Sequence, residues 1–218
     1  MTWYDNSFWG PQTEGLWTRH RPPTDGRPVG STWSLLDLSG LTQATVDQMT
    51  PVHEAGHAVI GLRRRQQLTE VTLDDNAFPG HSGYALWHSG MVDARDFGVM
   101  SAAGEQASLR WLWESGLYTE ASGWAAEALS LHDRRTLAAR LGDVGCTMAF
   151  GRSWTADCDW ATFGHEADDE LAQCWHQVTA VAYQLQERGR LTGHDVAAIM
   201  AATGADFSGV RGEAESPR

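Results

Sequence analysis

Apolar residues recur at helical spacing along most of the chain, and this pattern predicts a mainly helical fold. The most strongly periodic segment, residues 165–188, is followed by Gly189, a residue type that commonly ends helices. A second long segment, residues 93–114, is Ala-rich and apolar. The remaining predicted helices are shorter and cover residues 120–129, 130–142 and 192–202.

A further helix is predicted to begin at Thr50 and to end near Arg65. Threonine caps helices, and Pro51 suits the first helical position, where the missing N–H has no partner in any case. The preceding residues 41–49 are predicted to form a short helix or helical turn that leads into it.

Two short segments, residues 70–74 and 84–88, have β character instead. The turn-rich loop 76–83 between them predicts a hairpin. The expected fold class is therefore mainly α, of the α+β type, with a short β-hairpin or small sheet beside the helix that starts at Thr50.

Residues 1–40 differ from the rest of the chain, because they are rich in Trp and Pro and show no sustained helical or strand period. We favour an arm that packs on its own domain, and an arm that binds a partner is the alternative. Residues 41–204 are predicted to form the folded domain, and residues 205–218 a polar tail.

Composition excludes several classes of function. The net charge of −12 argues against nucleic acid or an anionic membrane as a partner, and no apolar run approaches membrane-spanning length. All sixteen basic residues are Arg. A P-loop needs a lysine, so the chain contains no standard Walker ATPase site.

The three cysteines are odd in number and lack C-x-x-C spacing. This pattern predicts inert thiols, not a disulfide framework or a thiolate metal site. The N-terminal residues show no basic region followed by an apolar one, so the expected location is the cytoplasm.

The strongest chemical signal is the H-E-x-x-H motif formed by His53, Glu54 and His57. Residues four apart share one face of a helix, so both histidines can bind one zinc ion. Glu54 would then accept a proton from water activated by the zinc. The pattern also arises by chance in about two of every hundred chains of this composition, as a helix with two unrelated histidines.

A catalytic zinc needs a third protein ligand. The extended motif H-E-x-x-H-x-x-G-x-x-H is excluded, because Ile60 and Arg63 occupy the positions of its Gly and third His. The candidates elsewhere in the chain are His81, His88, Glu105, Glu127, His132, Asp133 and His165.

Over about residues 50–200, the chain resembles the peptidase domain of the FtsH family of ATP-dependent zinc metalloproteases. The matching segments, in chain order, are His-Glu-Ala-Gly-His-Ala-Val at 53–59, Glu-Val-Thr-Leu at 70–73, Gly-Tyr at 83–84, Ala-Gly-Glu-Gln-Ala at 103–107, Ser-Leu-His-Asp-Arg-Arg-Thr-Leu-Ala at 130–138 and Leu-Thr-Gly at 191–193. The chain departs from the family in lacking membrane segments and an ATPase module, and in carrying Glu105 and Ser108 where Arg and Glu are usual.

The resemblance implies that His53, His57 and Asp133 bind Zn²⁺ and that Glu54 is the general base of a metalloendopeptidase. For Asp133, a capping box with Ser130 is the alternative role. The hairpin is expected to hold an extended polypeptide substrate through Val71, Thr72, Leu73, Gly83 and Tyr84. A separate unfoldase and a homo-oligomer are possible partners.

Two other hypotheses stay open. The chain could be a non-catalytic binding or regulatory protein that keeps the peptidase fold and engages a partner through its Trp-rich arm. Alternatively, the zinc could be structural, with His132 or His88 closing the site as a fourth ligand.

Overall fold

The structure is a computed structural model that describes residues 2–6, 17–23, 35–73, 83–88, 93–150 and 158–204. Its helices are α1 (Leu35–Ser39), α2 (Gln43–Arg63), α3 (Ala94–Glu114), α4 (Glu120–Leu129), α5 (Leu131–Asp143), α6 (Trp160–Arg188) and α7 (Gly193–Ala202). The strands are β1 (Tyr4–Asp5), β2 (Trp17–Thr18), β3 (Leu68–Thr72), β4 (Tyr84–Trp87) and β5 (Arg190–Thr192). The predicted class, mainly α with a small antiparallel sheet, is confirmed. None of the described helices combines the length and the apolar character that crossing a membrane requires.

Helix α2 starts earlier than predicted. Thr42 caps it by accepting a hydrogen bond from the Thr45 backbone N–H, and the helix then continues without a break through Thr50 and Pro51. The Thr50 hydroxyl donates to the Val46 carbonyl at 2.9 Å, inside the helix. The predicted start at Thr50 is therefore wrong, because the earlier cap and the burial of Pro51 in the core outweigh the hydrogen bond that proline cannot make.

The core lies where α2, α3 and α6 pack against one another. Small residues allow the closest approach, since Gly56 of α2 lies against Ala103 and Ala107 of α3. Helix α6 begins at Trp160, before the predicted position, because Asp159 caps it. Gly189 ends α6 with a φ of +71°, as predicted.

The predicted hairpin is present as the antiparallel pair β3 and β4, but β5 pairs with the other side of β3. The sequence analysis missed β5, which is three residues long and directly follows α6. As a result Val71 pairs with both Ala85 and Leu191, and β3 is the central strand. Val71 and Thr72 are paired on both sides, so their backbone cannot accept an added peptide strand. Leu73 follows β3, and its N–H donates to the Gly189 carbonyl at 2.8 Å. In the described sheet, β4 is the edge beside the motif helix.

The described parts of the N-terminal arm lie against the helical domain. Strands β1 and β2, which the sequence did not predict, pair antiparallel with Tyr4 opposite Thr18. The buried Asn6 side chain accepts a hydrogen bond of 2.8 Å from the Trp124 indole on α4. Trp9 and Trp33 of the arm, like the tail 205–218, lie outside the described residues.

Cys146 and Cys158 form a disulfide, and Cys174 is free and buried. The prediction of inert thiols is therefore wrong for the first two. Their spacing gave no signal, because the pairing depends on how the end of α5 meets the start of α6. There the Ala149 N–H donates to the Cys158 carbonyl at 2.8 Å, which brings the two segments together.

We expect peptide mapping of the unreduced protein to find Cys146 linked to Cys158 and Cys174 unmodified. Replacing both paired cysteines with alanine should lower the free energy of unfolding by about 2–4 kcal/mol, since the unfolded chain regains the conformational freedom that the crosslink removes. Cys174→Ala is the control, because it leaves the disulfide in place. Alkylation of all three thiols in folded, unreduced protein would contradict the pairing.

Candidate metal centre

His53 and His57 on α2 and Asp133 on α5 direct three donor atoms at one point. The two histidine Nε2 atoms are 3.0 Å apart, and Asp133 Oδ2 lies 3.2 Å from that of His53 and 3.5 Å from that of His57. In the part of the chain that the structure describes, this is the one group of three His, Cys, Asp or Glu residues close enough to share a metal ion.

These distances fit a tetrahedral zinc site. Ligand nitrogen and oxygen atoms lie about 2 Å from zinc, so two of them at a tetrahedral angle are about 3.3 Å apart. The three observed separations, 3.0, 3.2 and 3.5 Å, lie close to this value. The three donors are therefore spaced as the ligands of an ion such as zinc would be.

Hydrogen bonds to the other ring nitrogens set the direction of both imidazoles. His57 Nδ1 donates to the Met100 carbonyl at 2.8 Å. Ser108 Oγ donates to the Gly104 carbonyl at 3.0 Å, and so it accepts from His53 Nδ1 at 3.2 Å. With both Nδ1 protons used in this way, each neutral ring points an Nε2 lone pair at the other. Two lone pairs and a carboxylate so close together repel one another unless a proton or a metal ion lies between them.

The pKa values show the same demand for positive charge. Burial alone would lower the pKa of His57, but the charge and the hydrogen bond of Asp133 outweigh it and raise the pKa to about 9. Burial likewise opposes ionisation of Asp133, yet the two histidines hold its pKa well below its usual range. A proton can therefore take the cation's place at neutral pH. A metal ion must displace that proton, so metal affinity should increase as the pH rises toward 9.

Glu54 lies beside the donor cluster and is only 6% exposed. Its Oε2 atom is buried, and no group among the described residues forms a hydrogen bond with it. Burial raises the pKa of Glu54, while the charges of His53 and His57 oppose the rise. Gly83 lies directly against this side chain, since a Cβ there would fall 2.9 Å from Glu54 Cγ. The result is a carboxylate free to accept a proton.

The cluster opens into a cleft of about 430 Å³. One wall is strand β4, from Tyr84 to Trp87, with Gly83 before it. The helices contribute both apolar and polar side chains to the lining; the apolar ones are Val46, Met49, Phe97, Met100 and Leu129. The cleft thus places an edge strand, apolar side chains and the donor cluster in one continuous space.

Of the candidates for the third ligand that the structure describes, only Asp133 joins the two histidines. The capping-box alternative fails, because the Ser130 hydroxyl donates to the Ala126 carbonyl and makes no cap hydrogen bond. The other described candidates are not in the donor group. Glu105 and Glu127 are fully buried in an ion network, and His88 and His165 are exposed. His132 lines the cleft, but its Nε2 is hydrogen-bonded to Thr136 at 3.2 Å. His81 lies outside the described residues.

The sequence analysis missed the residues that support the ligands. Ser108, noted only as a departure from the FtsH pattern, orients His53. Gly104 leaves room for both rings, since a Cβ there would lie 2.4 Å from His57 Nε2 and 2.7 Å from His53 Nε2. A glycine inside an Ala-rich helix was the available signal, because it costs stability unless packing requires it.

Comparison with known proteins adds no family. No protein-family model matches the chain. No curated protein matches it either. The resemblance to FtsH peptidases therefore depends on the matching segments of sequence alone.

Replacing Gly104 with alanine tests the site without changing a donor atom. We expect the Gly104→Ala protein to fold and to bind zinc at least about tenfold more weakly, because the new methyl group displaces both histidine rings. The matched control is Gly142→Ala in α5, where an added Cβ meets no atom within 4 Å. Zinc affinity is measured by competition with a chromophoric chelator, and equal affinities of the two variants would contradict the geometry.

Proposed function

We propose that the protein is a zinc-dependent metalloendopeptidase that hydrolyses peptide bonds in flexible or unfolded protein segments. The observation that carries the proposal is the cluster of three donor atoms from His53, His57 and Asp133 beside the unpartnered buried carboxylate of Glu54. Structural ion pairs and capping residues do not call for this combination, whereas metal-assisted hydrolysis uses every member of it.

The donor set favours a catalytic zinc over a structural one. A structural zinc is closed by four protein ligands, and three leave a coordination position for water or substrate. When bound, zinc would polarise a scissile carbonyl and lower the pKa of water. His132 and His88, which could have closed the site, do not join the described cluster.

Glu54 has the properties of the general base. Burial and the charge of Asp133 raise its pKa, and the two neighbouring imidazoles oppose that rise; a raised pKa brings a carboxyl closer to the range that suits a general base. The free Oε2 atom can take a proton from water in the cleft and pass it to the leaving amine. Glu54 would thus act first as the base that deprotonates water and then as the acid that protonates the leaving amine.

Strand β4 is the part of the cleft that can hold a peptide. It is the edge of the described sheet and lines the same space as the donor cluster. An extended substrate can pair with its backbone from Gly83 onward, as in strand addition generally. Because only an unfolded segment can adopt that pairing, folded proteins should resist cleavage.

The chain has no lysine and so no P-loop of its own, which means that an ATP-driven unfolding step would need a separate unfoldase. A cytoplasmic location belongs to the proposal as well, but the Cys146–Cys158 disulfide is of a kind more common in oxidising compartments. A disulfide that is reduced in cells would support the cytoplasm, and one that is oxidised would support an oxidising compartment.

The alternative of a non-catalytic binding protein has less support. It rested on the Trp-rich arm, and the described residues 17–20 of that arm face inward, with Arg19 and His20 bound to buried carboxylates. A partner would have to use other parts of the arm.

Glu54→Gln provides the direct test. We expect this variant to keep its zinc and to lose at least about 100-fold of its activity, because the amide cannot accept the proton. Asp47→Asn is the matched control, since it makes the same chemical change at an exposed position of α2. Activity is measured on a fluorescently labelled unfolded protein and zinc by elemental analysis. Unchanged cleavage by Glu54→Gln would contradict the mechanism, and a zinc-loaded wild type that cuts nothing would favour the binding protein.

A further inference from the structure

A buried ion network lies directly behind the candidate metal centre. It is formed by the residues that follow Gly104 and Asp133 in sequence, namely Glu105 on α3 and Arg134 on α5. Arg134 donates to Glu105 Oε2 from Nε at 3.0 Å and from Nη2 at 2.6 Å. Both side chains are almost completely buried, at 0% and 2% exposure. The pair thus joins α5, which carries Asp133, to α3, whose Gly104 lies against both histidine rings.

Trp160 of α6 supports the same pair from the other side. Its ring lies 5.0 Å from the Arg134 guanidinium carbon, and its Nε1 donates to Glu105 Oε1 at 3.3 Å. Arg134 is therefore held by a carboxylate and by an aromatic face at once. This anchor fixes the first turn of α5, the turn that carries Asp133.

The N-terminal arm completes the network. Arg19 donates to Glu127 from its backbone N–H at 2.7 Å and from Nε at 3.1 Å, and its Nη2 reaches Glu105 at 3.4 Å. His20 Nδ1 lies 3.0 Å from Glu127 Oε1, and the Trp17 carbonyl accepts a hydrogen bond from Arg134 Nη1. Residues 17–20 thereby contact buried groups on α3, α4 and α5.

The two buried carboxylates of the network need positive partners, and the arm supplies one of them. Glu105 and Glu127 are both fully buried, and Arg19 supplies the second of the two arginines that balance them. Burial alone would raise the pKa of Glu127, but the His20 hydrogen bond and the charges of Arg134 and Arg19 lower it. Without the arm, Arg134 would have to compensate both carboxylates and could no longer hold one position.

We propose that residues 17–20 of the arm act as a positioning device for the metal ligand Asp133, with Arg19 as the residue that fixes the Glu105–Arg134 anchor. Glu127 is in the last turn of α4 and Arg134 in the first turn of α5, so the arm holds the chain on both sides of the junction that presents Asp133. Ser130 provides no side-chain cap there, which leaves the network to fix this turn. The proposal rests on the metal site of the proposed function.

The test compares zinc affinity in variants of the full chain. Arg19→Ala should bind zinc at least about tenfold more weakly than the wild type, as is typical when a residue that orients a metal ligand is lost. Arg19→Lys, which restores the charge but not the paired hydrogen bonds, should recover part of the affinity. Arg64→Ala is the matched control, since Arg64 is as buried as Arg19, at 15% against 18% exposure, and also binds several carboxylates, but at the far end of α2.

A second measurement separates positioning from general stability. Hydrogen exchange of residues 130–141 in the metal-free protein should be faster in Arg19→Ala and unchanged in Arg64→Ala. If Arg19→Ala does not fold, His20→Ala, which removes a single contact to Glu127, replaces it in both measurements.

Wild-type affinity together with unchanged exchange in a folded Arg19→Ala protein would overturn the proposal. If the wild type itself binds no zinc, the proposed function fails instead. The exchange of residues 130–141 then decides alone whether the arm fixes this turn.

Discussion

Two imidazole rings and a carboxylate converge within hydrogen-bonding distance of one another, an arrangement that a bound proton or a metal ion stabilises. This electrostatic demand accounts for the features around it. The Met100 carbonyl and Ser108 bind the Nδ1 atoms of the two rings, so that both Nε2 atoms face the cluster. Gly104 provides the space in which the rings meet. Each of these groups would be unnecessary if the two histidines were ordinary core or surface residues.

The donors come from helices that are distant in sequence, so the site is only as precise as the packing of α2, α3 and α5. Close packing of α3 on α2 is possible because small residues line their contact. Helix α5 packs through the buried side chains of Leu137 and Leu141, and the Glu105–Arg134 ion pair ties its first turn to α3. A buried ion pair contributes little to stability in general, but it can specify one geometry, and a metal ligand requires exactly one. Residues 17–20 of the arm contact this ion pair directly, although they are remote from it in sequence.

Much of this could be predicted from local sequence. The helical periodicity, the H-E-x-x-H motif and the end of α6 at Gly189 depend on neighbouring residues, and so they could be inferred. The start of α2 could not, since Thr50 and Pro51 resemble a helix start only until the earlier cap at Thr42 is considered. Strand β5, the disulfide and the roles of Gly104 and Ser108 arise from contacts between distant segments, to which no periodic pattern corresponds. Asp133 could be predicted, but not from its neighbouring residues. Only the resemblance to a known family distinguished it from the other candidates for the third ligand.

The measurement that tests the central claim most directly is the zinc content of the purified protein beside its Asp133→Ala variant, both freed of loosely bound metal. The account predicts about one zinc ion per chain in the wild type and a large loss in Asp133→Ala, with the variant still folded. A wild type that holds no zinc and cannot be reloaded, or a variant that keeps its zinc in full, would contradict it.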